Sequence, residues 1–124
     1  MSDKGRVLVV DDEAGIREGC RRVLTAHGYE VDMAATGREA LALAQEHSYD
    51  VVLLDVRVPD VRGTELIKPF HERDADCVCI VITGYATVEL AVKAIKEGAF
   101  DFVNKPFTAE DLIQAVDHGM ERRR

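Results

Sequence analysis

Three short segments of the chain are apolar at every position, and this pattern limits the fold more than any other feature. They are Val7-Leu8-Val9-Val10, Val51-Val52-Leu53-Leu54 and Val78-Cys79-Ile80-Val81-Ile82. A strand with one wet face alternates polar and apolar residues. A continuous, β-branched run therefore reads as a strand buried on both faces. Two further runs, Tyr29-Glu30-Val31-Asp32-Met33-Ala34 and Phe100-Asp101-Phe102-Val103, do alternate and read as edge strands.

Helical patterns fill the gaps between these runs. Ile16, Cys20, Val23, Leu24 and His27 recur at one-face spacing, and Gly28 follows where a helix commonly ends. Thr36-Gly37-Arg38-Glu39 has the form of a capping box ahead of Ala40, Leu41 and Ala44. Val88, Ala91, Val92 and Ile95 form another stripe, closed by Gly98. Leu112, Ile113, Val116 and Met120 form the last, with Thr108 as the expected N-cap and Asp111 three residues on. Between Thr64 and Asp74, Leu66, Ile67 and Phe70 suggest a helix, but Pro69 lacks an N–H and crowds the preceding turn. That helix is expected to kink at Pro69 or to start late. Strands alternating with helices predict an α/β fold with a parallel sheet, and 124 residues suit a single domain over 1–124.

The net charge of −7 gives no electrostatic case for binding nucleic acid or an anionic membrane. No apolar run approaches the ~20 residues that cross a bilayer, and the first residues lack the apolar stretch of a signal peptide. The cytoplasm is the expected location. Cys20, Cys77 and Cys79 read as small packing residues, and His27, His47, His71 and His118 as solvated surface groups. Glu121-Arg122-Arg123-Arg124 suits the C-terminal end of a helix and equally a cut in a longer protein.

Ligands of parallel α/β sheets bind beyond the carboxyl ends of the strands. Strand 1 is followed by Asp11-Asp12-Glu13, strand 3 by Asp55, strand 4 by Thr83-Gly84 and strand 5 by Asn104-Lys105-Pro106. Taken singly, each has an ordinary explanation: Asp12 as a helix cap, Thr83 as the start of a turn, Lys105 as a solvated lysine. Taken together, they place a different polar group after every central strand. Clustered carboxylates repel one another and call for a cation. Hard oxygen donors suit Mg²⁺. A dication, the Lys105 ammonium and the Thr83 hydroxyl together suit a transferring phosphoryl group, and a carboxylate is a competent nucleophile for it.

With these pieces assembled, the chain resembles the receiver domains of bacterial two-component response regulators over nearly its whole length. The matching segments are Val7 to Glu13, Leu53-Leu54-Asp55 with Pro59 and Gly63, Val81-Ile82-Thr83-Gly84, and Lys105-Pro106-Phe107. The resemblance implies a doubly wound (βα)5, flavodoxin-like domain with five parallel strands in the order 2-1-3-4-5. It implies Asp55 as phosphoacceptor, with Thr83 and Lys105 contacting the phosphoryl group. It implies a Mg²⁺ site of Asp11, Asp12, Asp55 and the backbone carbonyl of Arg57, with Asp11 acting mainly through water. Thr83 and Phe102 would be the switch pair, and a cis peptide is expected between Lys105 and Pro106.

The implied partners are a sensor histidine kinase or phosphotransfer protein, a second receiver after phosphorylation, and an output module C-terminal to this domain. Direct nucleic-acid or membrane binding by the domain is not expected, nor is turnover as an enzyme beyond its own phosphotransfer and slow dephosphorylation. Residues Ala91 to Phe102 resemble receivers of the nitrogen-regulation type, which precede transcription-activating ATPase modules. Val58 stands where methionine is common, Pro69 is atypical, and Arg57 sets a cation beside the site.

The chief enzymatic rival is a phosphohydrolase of the haloacid-dehalogenase type. That class separates its two aspartates by one residue after a single strand, whereas Asp11 and Asp12 are adjacent and Asp55 lies on another. A flavodoxin-like binding module would need a Ser/Thr/Gly phosphate loop after strand 1, where this chain has acids. A third reading keeps the receiver fold as a phosphate-independent interaction module.

Overall fold

The computed structural model describes residues 4–84 and 88–123. Arg124, the first three residues and the side chain of Val88 lie outside the described residues, so nothing is said of their part in the patterns above. The strands are β1 Arg6–Val10, β2 Glu30–Ala34, β3 Val51–Asp55, β4 Val78–Thr83 and β5 Asp101–Asn104. The helices are α1 Ala14–Ala26, α2 Gly37–Glu46, α3 Ile67–Arg73, α4 Val88–Lys96 and α5 Ala109–Arg123. All strand pairs are parallel and the order is β2-β1-β3-β4-β5. The expected architecture and strand order therefore hold.

Every residue of β3 and β4 is buried, as their unbroken apolar runs required. Alternate residues point to opposite faces. Leu8, Val10, Val52, Leu54, Cys79 and Val81 pack with Ala40 and Ala44 of α2, Ile67 and Phe70 of α3 and Ala94 of α4. Val7, Val9, Leu53, Ile80 and Ile82 pack on the other face with Cys20 and Leu24 of α1 and Leu112, Ala115 and Val116 of α5. The three cysteines are buried and unpaired, and burial pushes the Cys20 thiol up to about 12.

The local signals act at the helix ends. Thr36 Oγ1 accepts the Glu39 N–H at 3.1 Å. Thr108 and Asp111 cap reciprocally, each side chain accepting the other's backbone N–H at 3.0 Å. Gly28 and Gly98 close α1 and α4 with φ of 98° and 110°, a region that disfavours a Cβ.

Two expectations need correction. Of the described residues of the α4 stripe, Val92 and Ile95 are about half exposed and Ala91 is partly buried, while Ala94 between Val92 and Ile95 is buried. β5 begins at Asp101, one residue later than its apolar run, which leaves Phe100 exposed in the preceding turn. Among the described residues, no helix is long and apolar enough to cross a membrane.

The Pro69 puzzle resolves by the late start. A 3₁₀ turn over Gly63–Leu66 leads into α3, which begins at Ile67. Pro69 thus falls in the first turn of α3, where a missing N–H sacrifices little. Pro69→Ala should change the unfolding free energy by less than about 1 kcal/mol, against the ~3 kcal/mol of a proline inside a helix. Urea denaturation checks this, and a gain near the larger figure would show that Pro69 strains α3.

Candidate functional site

Register builds the site. Val10 lies opposite Leu54, so Asp11 and Asp55 leave neighbouring strands at the same rim. Asp55 in turn lies opposite Ile82, just before Thr83, and Thr83 lies opposite Asn104, just before Lys105. The carboxyl ends of β1, β3, β4 and β5 thus deliver Asp11, Asp55, Thr83 and Lys105 to one rim of the sheet. Asp11, Asp55 and Thr83 are buried there, while Asp12 and Glu13 are exposed.

Lys105 sits among the acids. Its Nζ donates to Asp55 Oδ2 at 3.2 Å and to Glu13 Oε1 at 3.1 Å. It lies 2.7 Å from Asp11 Oδ2, the shortest of its three contacts with carboxylates. Its backbone N–H donates to the Thr83 carbonyl at 2.8 Å, and the Lys105–Pro106 peptide is cis. Burial raises the Asp11 carboxyl above its ordinary value, opposed by the Lys105 ammonium and the Glu13 amide and reinforced by Asp55. Burial works to lower the Lys105 pKa, but Asp11, Glu13 and Asp55 outweigh it and hold the ammonium above its usual range.

The other acceptor sites are held by backbone. Asp11 Oδ1 accepts the Glu13 N–H at 2.9 Å, and Asp55 Oδ1 accepts the Arg57 N–H at 3.1 Å. Arg17 Nη1 donates to the Asp11 carbonyl at 2.9 Å. The Arg57 main chain bridges to Arg62, folding the loop after β3 back on itself. Phe102, two residues before Asn104, is half-buried against the face that α2, α3 and α4 cover.

Carboxylate oxygens of Asp11, Asp12, Glu13 and Asp55 all lie within 4.8 Å of one another. One ammonium does not balance four carboxylates. The buried Asp11 Oδ2 has no hydrogen-bond partner beyond its 2.7 Å ionic contact with Lys105. An all-oxygen donor set of this charge fits a hard divalent cation.

Sequence reasoning gave no role to three groups that shape the site. Glu13 was in view as the third acid of its run, but nothing local showed that it reaches Lys105. Gly63 belonged to the matching pattern without a reason; a Cβ there would lie 1.8 Å from the Asp55 carbonyl oxygen. Asp60 accepts the Gly37 and Arg38 N–H groups at 2.8 and 2.9 Å, tying the loop after β3 to the start of α2 across 23 residues. No local signal announces such a long-range cap. Gly63→Ala should displace the Asp55–Val56 backbone and lower stability by about 2 kcal/mol or more. Urea denaturation measures it, and a neutral result would mean that the loop relaxes freely.

Comparison with known proteins agrees with this geometry. The family model described as the response regulator receiver domain matches residues 7–117. The C4-dicarboxylate transport transcriptional regulatory protein DctD of Pseudomonas aeruginosa is 37% identical over 96% of the chain and 26% of DctD. The transcriptional regulatory protein FixJ of Rhizobium meliloti is 36% identical over 93% of the chain and 56% of FixJ. The chain thus spans between a quarter and about half of these relatives. In solution, the beryllofluoride-activated NtrC4 receiver domain dimer superposes with a TM-score of 0.91 at 43% identity, covering 96% of this chain and 98% of that one. Shared architecture, extent of match and sequence identity leave one assignment: the chain belongs to the response regulator receiver domain family.

Proposed function

We propose that the chain is a phosphorylation-activated switch. It takes a phosphoryl group onto Asp55 from a phosphohistidine of a sensor kinase or phosphotransfer protein, with Mg²⁺ bound. The observation that carries this reading is Lys105 Nζ hydrogen-bonded to Asp55 Oδ2 beside the buried Asp11. In the transfer, an Asp55 oxygen bonds to phosphorus while the phosphorus–nitrogen bond breaks and its electron pair stays on the histidine. Lys105 then meets the phosphoryl oxygens, and the Thr83 hydroxyl donates to one of them. Asp11, Asp12, Asp55 and the Arg57 carbonyl would hold Mg²⁺, which when bound offsets the charge of the acids and the phosphoryl group. The chain assists its own modification and turns over no separate substrate, which separates it from the phosphohydrolase reading.

The output is proposed to lie on α4, β5 and α5. Thr83 moves toward the phosphoryl group, Phe102 turns inward behind it, and the surface around β5 repacks. Val92 and Ile95 on α4, with Phe100, already form exposed apolar points on this side. The dimeric state of the activated NtrC4 receiver supports a second copy as one partner. The names of DctD and FixJ, and their greater length, support an output module that follows this domain and controls transcription. That module, not this domain, would contact DNA. The absence of a membrane-crossing helix among the described residues is compatible with work in the cytoplasm.

Two measurements test the reading. With Mg²⁺ and a small acyl phosphate, intact mass should show one phosphoryl group on the wild type and none on Asp55→Asn. Equal labelling of the variant would remove Asp55 as acceptor. Thr83→Ala should still be labelled but lose most of the chemical-shift change across α4, β5 and α5. Undiminished shifts in phosphorylated T83A would exclude Thr83 as the route of coupling.

A further inference from the structure

We propose that Glu13 is a positioning residue whose carboxylate holds the Lys105 ammonium in place over Asp55 before the phosphoryl group arrives. The inference rests on Asp55 as the phosphoacceptor. Three carboxylates surround Lys105 Nζ, and they differ in exposure. Asp11 and Asp55 lie beneath it, almost wholly buried, whereas the Glu13 side chain is 62% exposed and closes over a lysine that is itself 12% exposed. Glu13 is thus the outer wall of the lysine's site.

Its own anchor is fixed. Glu13 precedes α1 with extended backbone, and its N–H is held by Asp11 Oδ1 at 2.9 Å. An ammonium has three N–H donors on a flexible stem. Glu13 and Asp55 each accept a hydrogen bond from that of Lys105, and the buried Asp11 lies 2.7 Å beneath. When Asp55 becomes phosphorylated, its oxygen forms the new bond to phosphorus and the donor leaves with the electron pair of the broken bond. Glu13 keeps its free carboxylate throughout, and it holds the ammonium from the open side while Asp11 holds it from beneath. An ammonium already fixed needs no reorganisation as charge shifts onto the phosphoryl oxygens.

Glu13 acts on the site in two separable ways. Its oxygen orients Lys105, and its charge adds to the field that attracts a dication. Glu13→Gln keeps the acceptor and removes the charge, whereas Glu13→Ala removes both. The full chain is incubated with saturating Mg²⁺ and acetyl phosphate, and the rate of labelling is followed by intact mass. E13A should be slower by about three- to tenfold, as expected for a misplaced stabilising group, with E13Q within about twofold of wild type. Calorimetric titration with Mg²⁺ alone should show weaker binding in both variants. A readout independent of transfer is the Lys105 ε-methylene proton pair in metal-free protein. It should give two resonances in wild type and E13Q, and one averaged resonance in E13A. Wild-type rates in E13A, or an E13Q as slow as E13A, overturn the proposal. If wild type accepts no phosphoryl group, the reading of Asp55 fails. The methylene signals then decide the tether alone, and averaging already present in wild type overturns it.

Discussion

The site depends on one ammonium placed among carboxylates. Lys105 reaches Asp11, Glu13 and Asp55 from the last strand of the sheet, although these residues lie 50 to 94 positions away in sequence. Only the order β2-β1-β3-β4-β5 sets the ends of β1, β3, β4 and β5 side by side. The lysine cannot be moved by one strand without leaving two buried acids unpaired. Loss of one partner from such a buried set costs several kcal/mol, about 3–5 in measured cases. Topology and electrostatics therefore constrain each other: the sheet gathers the acids, and Lys105 makes the gathering tolerable.

Much of this was legible because the informative residues act locally or by strict period. β3 and β4 declared themselves through runs with no polar residue. The Thr36 and Thr108 caps each needed only a partner three residues away. The polar groups after each central strand were visible because a parallel sheet always exposes its carboxyl rim. What was hidden depends on distance or on free space. Asp60 caps α2 from another loop, and Gly63 is required by a carbonyl eight residues earlier in the chain. Neither leaves a periodic trace.

The α4 stripe misled for a different reason. Periodicity reveals an apolar face but not whether anything covers it. Val92 and Ile95 have the spacing of core residues and the exposure of a docking surface. The same ambiguity applies to Phe102, whose alternating strand allows an aromatic either inward or half outward. In both cases the sequence pattern marks an apolar side chain without fixing its depth.

Energetics bound how such a surface could be switched from Asp55. Reversing a 1:99 population to 99:1 takes about 5.5 kcal/mol of differential interaction. Phosphorylation at Asp55, the proposed acceptor, would make its side chain more negative by about one charge and add strong acceptor oxygens. A charge-assisted hydrogen bond contributes about 1.5–3 kcal/mol. One such bond from Thr83 falls short of full reversal, and bonds from Thr83 and Lys105 together reach it only at the upper end of that range. Lys105, however, already donates to Asp55 before phosphorylation, so only the improvement in that bond counts toward the switch. In the proposed switch, Thr83 would supply a new bond rather than an improved one, from a position 1% exposed at the end of the strand next to β5. On β5, Asn104 lies opposite Thr83, and the half-buried Phe102 lies opposite Val81 on the same strand pair. The proposed coupling from Thr83 to β5 would therefore run along the paired ends of β4 and β5.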